Sequence, residues 1–269
     1  MIARAGTTTL AGLLLFAGWG TTGTAQTAEK ALPLAHVAAP GAIQELASVL
    51  EMMLDVRRVP YDSAKKALVV RGSAGQIELA QWLVSLLDKA AGGPASEPQK
   101  PDAFEFHPPA GRDDGDNAVR VLYVTHTEPV DLEELLTVMR FGADIERAMA
   151  FTAGHAVVVR ATPQQVAMAE WVVQQLEQPA EADRKTVAFE YHSPDSGRDA
   201  LASAVRIVYL TNTNTPQAIR ALVHLVRTGT AVPRIFPITS QKALVIRAEP
   251  RRMVAAENLI AATDKPAAQ

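Results

Sequence analysis

The sequence predicts an α+β protein of three tandem small two-layer modules. Each would run strand, helix, strand, strand, helix, with both helices packed on a small sheet. Three observations lead there. A short apolar segment recurs three times at nearly constant spacing, the apolar period changes within each copy from that of a strand to that of a helix, and stretches rich in proline, alanine, glycine and charge separate the copies.

The recurring segment is ALVVR at Ala67 to Arg71, AVVVR at Ala156 to Arg160 and ALVIR at Ala243 to Arg247, with offsets of 89 and 87 residues. At the same offsets Arg58, Arg147 and Arg234 superimpose, Trp82 meets Trp171, and Pro163 meets Pro250. Copies two and three share an upstream block, AFEFH at Ala103 to His107 and AFEYH at Ala188 to His192, followed by AVRVLYVTHT from Ala118 and AVRIVYLTNT from Ala204. Copy one keeps a vestige of this near Leu32 to Val37.

Each element has a local cause. Val119 to Thr125 is rich in β-branched and aromatic residues, which favour a strand. A helix follows, with apolar positions at Ile43, Leu46, Ala47 and Leu50, repeated as Leu132, Leu135, Leu136 and Met139, and as Ile219, Leu222, Val223 and Val226. That i, i+3, i+4, i+7 spacing makes one helix face. Two short strands come next, for example Ile145 to Phe151 and Ala156 to Arg160, turning at Ala153 and Gly154. Ser73 with Gln76, and Thr162, Pro163 and Gln165, fit a capping box that opens the second helix. Its core stripe is Ile77, Ala80, Val84 and Leu87, matched by Val166, Ala169, Val173 and Leu176, and by Met253, Ala256 and Ile260.

The modules are placed at 31–88, 103–177 and 187–264, with linkers at 89–102 and 178–186. A two-layer module of strand, helix, strand, strand, helix takes about 55 to 65 residues, near the lower limit for independent folding. The N-terminus reads as a signal peptide over 1–25. Arg4 supplies the positive start, Leu10 to Trp19 a short apolar run, and Gly23 and Ala25 the small residues before cleavage. An uncleaved anchor is the alternative, although the run is short for a membrane span. Cleavage would leave an exported chain without stable membrane insertion, located in the periplasm of a two-membrane bacterium.

Composition narrows the function classes. Hydrophobic residues at 48% and charged residues at 20% are ordinary for globular chains. The net charge of −3 provides no global positive field for a nucleic-acid backbone, so no nucleic-acid partner is expected. The absence of cysteine removes disulfides, thiolate metal sites and cysteine nucleophiles.

Among chemistry-bearing residues, His107 and His192 each follow a glutamate (Glu105, Glu190) by two positions on an expected strand, which puts the pair on one face. A metal would need a third and usually a fourth ligand, and the pattern supplies none. The RDDGDN loop from Arg112 to Asn117 lacks the spacing and closing glutamate of a calcium loop. The GSAG run at Gly72 to Gly75 joins a strand to a helix, whereas the nucleic-acid-clamping GXXG loop joins two helices. No serine, histidine and aspartate set recurs, so no enzyme activity and no cofactor are expected.

Two groups recur and stay open to two readings. Arg71, Arg160 and Arg247 end a core strand, and Arg58, Arg147 and Arg234 start the preceding one. They are candidates for structural ion pairs, a solvated edge or contact with an acidic partner. On the second helix, Leu79, Trp82 and Leu86, with Met168 and Trp171 in copy two, fall opposite the core stripe at about 100° per residue. Copy three has Ala255, Asn258 and Ala262 there. These tryptophan faces either contact the following module or another subunit, or cover a core edge within their own module.

VLYVTHTEPVDLEELLTVM, AVVVRATPQQV and WVVQQLEQP, with Asp88, Glu177 and Asp264 at the closing acidic position, resemble the N-terminal repeat domain of secretins. Secretins are the ring-forming outer-membrane channels of type II secretion, type IV pilus and related systems. The resemblance covers nearly all of the mature chain and rests on a pattern of apolar positions. It implies a periplasmic fold with roles in ring assembly and in contacting envelope or cargo proteins. The multi-stranded channel domain has no room after the third module, so this chain by itself is not expected to form the channel. The expected function is an exported protein-interaction scaffold or adaptor, with self or a secretin-type envelope complex as partner. The alternatives are a periplasmic ligand-binding or metal-binding protein or enzyme using the FEFH and FEYH strands, and a remnant of a full secretin.

Overall fold

The computed structural model describes residues 27–89, 100–109, 115–124, 129–178, 186–191 and 204–266. The expected signal segment, most of both expected linkers and His192 lie outside them. The described residues form an α+β protein with three small antiparallel sheets.

The first sheet has three strands, β1 (Ala28–Pro33), β2 (Tyr61–Asp62) and β3 (Ala67–Gly72), in the order β1-β3-β2. Helices α1 (Pro40–Leu54) and α2 (Ala74–Leu87) belong with it. The second sheet has β4 (Asp102–Glu105), β5 (Ala118–Tyr123), β6 (Arg147–Phe151) and β7 (Ala156–Ala161) in the order β4-β5-β7-β6, with α3 (Pro129–Thr137) and α4 (Pro163–Leu176). The third repeats that order with β8 (Val187–Glu190), β9 (Ala204–Tyr209), β10 (Arg234–Ile238) and β11 (Ala243–Ala248), with α5 (Pro216–Thr230) and α6 (Pro250–Thr263). The strand register repeats as well. Leu32 faces Leu68, Leu122 faces Val157, and Val208 faces Leu244.

The ends of the helices follow from side-chain chemistry. Proline opens α1, α4, α5 and α6, where the missing N–H would have had no partner in any case. The Ser73 and Gln76 capping box closes at α2 and the Thr162 and Gln165 box at α4. Each glutamine amide also reaches the end of its module's first helix, Gln76 donating to Leu54 O at 2.6 Å and Gln165 to Asp144 O at 2.5 Å. The two helices of a module are thus tied at one end. α3 runs into a wide π-type turn over Val138–Gly142.

Within a module the two helices lie on one sheet face, as the apolar stripes imply, but the stripe on α2 is wider than its spacing suggests. Leu79 and Leu83 are buried beside Ala80, Val84 and Leu87, while Ile77 is half-buried. The reason is that α2 packs against α1 as well as against the sheet. The other faces of the second and third sheets are buried too. Val119, Val121, Phe151 and Val158 join Val49 and Met53 in a single apolar cluster, so α1 is held between the first and second sheets. Val205, Ile207, Ile238 and Val245 likewise join the α3 core. The result is an alternation of sheet and helix layers, a stacked arrangement in which each unit buries the next.

Candidate functional site

The recurring charged and aromatic side chains converge where one module meets the next. α1 stops at Asp55, whose φ of 53° is left-handed, and the helix that contains α3 is followed by Asp144 at 56°. Aspartate tolerates that conformation better than most side chains with a Cβ. It aims the carboxylate at the following sheet. Asp55 receives Arg147 Nε at 2.9 Å and pairs with Arg160 Nη2 at 2.8 Å. Asp144 receives Arg234 Nη1 and, at 2.5 Å, Arg247 Nη1.

The inner arginine of each pair is fully enclosed, Arg160 at 0% exposure and Arg247 at 1%. A guanidinium there must be satisfied on all sides or it costs several kcal/mol. Arg160 donates to Met53 O at 2.6 Å and to Asp116 O at 2.9 Å, and it stacks on Phe106 at 4.5 Å. Arg247 donates to Gly142 O at 2.9 Å and stacks on Tyr191 at 4.3 Å. Tyr191 in turn donates its hydroxyl to Ala143 O at 2.9 Å. Backbone carbonyl, carboxylate and ring together replace the water a free arginine would have.

Two more contacts repeat at each junction. Glu45 accepts the Thr152 N–H at 2.9 Å, and Glu134 accepts the Thr239 N–H at 2.6 Å together with its hydroxyl. Trp82 lies 5.2 Å from Phe104 with the rings tilted by 43°, and Trp171 lies 5.2 Å from Phe189 tilted by 32°.

The arginines and the second-helix residues are therefore not uniform sets. Arg147, Arg160, Arg234 and Arg247 sit in the junctions, whereas Arg58 and Arg71 are exposed and Arg71 pairs with Glu29 at 2.5 Å. Trp82, Leu86 and Trp171 are half-buried, but Leu79 and Met168 have no exposed surface. The helix-to-helix packing that widens the stripe removes those two from any outward face. Glu105, His107 and Glu190 are exposed, and the two glutamates lie on strands of different sheets. Among the described residues no group of three or more His, Asp or Glu side chains could hold a metal ion.

No family model matches the chain, and no curated protein matches it. Among solved structures it is similar to Aeromonas hydrophila ExeD, with 18% identity over 89% of this chain and 41% of that one and a TM-score of 0.20. It is also similar to the type II secretion system secretin GspD of E. coli K12, at 14% identity over 90% and 40% with a TM-score of 0.20. The N-terminal domain of the secretin XcpQ from Pseudomonas aeruginosa is similar at 14% identity over 89% and 100% with a TM-score of 0.28. The chain spans about two fifths of the length of the first two.

The closing acids act inside a module. Asp88 accepts the N–H groups of Ala35, His36 and Val37 at 2.6, 2.8 and 2.7 Å, and Asp264 those of Thr211, Asn212 and Thr213 at 2.7, 2.8 and 2.6 Å. Burial pushes the pKa of both carboxyls up, but the backbone donors outweigh it and hold both below the ordinary aspartate value. Glu177 occupies the same place and is buried.

The junction acids escape a reading based on apolar periods. Asp55 and Asp144, like Glu45 and Glu134, stand 89 residues apart. That is the offset between the first two copies of the recurring apolar segment, so the signal was repeat register applied to polar positions.

Proposed function

We propose that the chain is an exported, non-enzymatic protein-interaction scaffold of secretin N-domain-like modules, working with a secretin-type envelope complex. In this reading the modules occupy 31–88, 103–177 and 187–264, joined by linkers at 89–102 and 178–186, and 1–25 is a cleaved signal peptide. The module pattern in the sequence supports it, as does the recurrence of one strand and helix order in three sheets. No helix among the described residues is long and apolar enough to cross a membrane. The observation that carries the reading is the destination of the recurring ionic and aromatic side chains. They join one module to the next instead of lining a cleft, which is the use a stacked scaffold makes of them.

The test is photocrosslinking in the native envelope from two exposed positions, Phe141 and Val254, with captured proteins identified by mass spectrometry. Enrichment of secretin-complex components over an unrelated exported control supports the scaffold. Capture no greater than the control at both positions overturns it.

A further inference from the structure

The junctions have a direction. The donor side is the first helix, with one acid on its outer stripe (Glu45, Glu134) and one at its left-handed end (Asp55, Asp144). The acceptor side is a sheet with two arginines and an apolar outer face, such as Val119, Val121 and Val158. The same register can be followed to both ends of the stack.

At the C-terminal end every donor feature has changed. α5 carries exposed Ala221 in place of Glu45 and Glu134, and it ends at Ala231, with φ of 52°, in place of Asp55 and Asp144. Arg252 replaces the capping-box glutamine and donates to Ala231 O at 3.0 Å, so a cation sits where the other two modules present an anion. Arg251 stands where the first module has Gly75. A Cβ on Gly75 would come within 3.2 Å of His107 O, so that position lies against the following module in the first junction. Asn258 replaces the tryptophan.

At the N-terminal end the acceptor is altered in a matching way. β1 presents exposed Glu29, Ala31 and Pro33 where β5 has Val119, Val121 and Tyr123. Arg71 holds the position of Arg160, but its carboxylate comes from Glu29 of its own sheet. Among the described residues the first sheet has three strands, and none of them corresponds to β4, the strand that brings Phe104 to Trp82 in the second.

We infer that the stack is closed at both ends by charge. A second copy cannot dock head to tail in the mode that joins the modules within one chain, because Arg58 and Arg71 of one copy would face Arg251 and Arg252 of the other. The aspartate that would bind those arginines is Ala231, the glutamate that would hold the strand end is Ala221, and the like charges repel. Contacts between copies therefore use a mode other than the one that joins the modules within a chain. This holds whichever partner the scaffold carries.

The absence of cysteine makes a clean test. Full chains carrying Leu225→Cys are mixed with full chains carrying Pro60→Cys and treated with a short bismaleimide. These positions correspond in the repeat register to Val138 and Phe236, which both lie beside Gly142 in the second junction. The expected yield equals that of a control mixture of Leu225→Cys with Ser85→Cys. The pair is then rebuilt with Ala221→Glu, Ala231→Asp, Arg251→Gln and Arg252→Gln on the donor chain and Glu29→Val on the acceptor chain, each confirmed as folded by circular dichroism. The yield then rises by about tenfold or more. Efficient crosslinking of the unmodified ends, or a rebuilt pair that stays at background, overturns the inference.

Discussion

The first junction and the second use the same electrostatic parts but fill the space between them differently. At the first, α1 contributes the buried side chain of Met53, and Met149 packs against the same cluster. At the second, the equivalent positions are Gly142 and Phe236, and a Cβ added to Gly142 would lie 3.6 Å from the Phe236 ring. The volume has moved from the helix to the strand while the aspartate, the two arginines and the tilted aromatic pair stay in register. Charge sets which surfaces meet, and shape sets which copy of a surface fits where. An α1-like helix with a methionine would collide with Phe236, so the two junctions are not interchangeable.

The largest effect that would break this comparison is loss of a junction acid. Asp144→Ala leaves the enclosed Arg247 without a carboxylate, and removing one partner of a buried pair costs about 3 kcal/mol or more. Asp55→Ala is expected to cost a similar amount through Arg160. Urea titration followed by tryptophan fluorescence checks both, since Trp171 sits against Phe189 at the second junction and Trp82 against Phe104 at the first. Each variant should shift its own junction's tryptophan transition more than the other's. Shifts below about 0.5 kcal/mol in both would show that the carboxylates do not hold the modules together.

A smaller effect sharpens the difference in shape. Gly142→Met forces side-chain volume against Phe236 and is expected to cost about 2 kcal/mol, within the range for overpacked sites. Adding Phe236→Met, which recreates the pairing of the first junction, should recover at least half of that loss in thermal denaturation. Equal destabilisation in the single and double variants would mean that the two positions do not complement each other.

Much of the fold can be read from the sequence because apolar period and cap chemistry are local. The stripe from Ile43 to Leu50, the Ser73 and Gln76 box and the Thr162 and Gln165 box each state an element without reference to anything distant. The second layer of burial is less legible. Val49 and Met53 lie beside the α1 stripe and look like excess apolar residues until a second sheet covers them. Leu79 and Met168 show the same limit in reverse, because a helical wheel places them outward and only the neighbouring elements bury them. The arginines carried a visible signal of importance but not of direction. Arg71 and Arg160 occupy one position in the repeat, yet one is largely exposed and the other enclosed. Arg160 is enclosed by the end of α1, through Asp55 and Met53 O, whereas Arg71 pairs with Glu29 of its own sheet.

The smallest expected effect concerns the acids that work within modules, and it separates them from the junction acids. Asp88 and Asp264 are held below the ordinary aspartate pKa by three backbone N–H donors each, against an opposing contribution from burial. A carboxyl with a depressed folded-state pKa stabilises the fold fully above its unfolded value of about 4 and loses that contribution as pH falls through the folded value. Acidification from about pH 5 to pH 2 should therefore weaken both turns. Because these groups are only partly buried and solvent screens them, each is expected to contribute no more than about 1 kcal/mol at neutral pH. Asp88→Asn and Asp264→Asn keep an acceptor oxygen but remove the charge, so melting temperature should depend less steeply on pH across that interval in the double variant. The tilted tryptophan pairs should be unaffected at pH 7, since the turns at Ala35 to Val37 and Thr211 to Thr213 lie within modules and not between them. A pH dependence unchanged by the double substitution would assign the acid sensitivity to other carboxylates and remove the closing acids from the account of module stability.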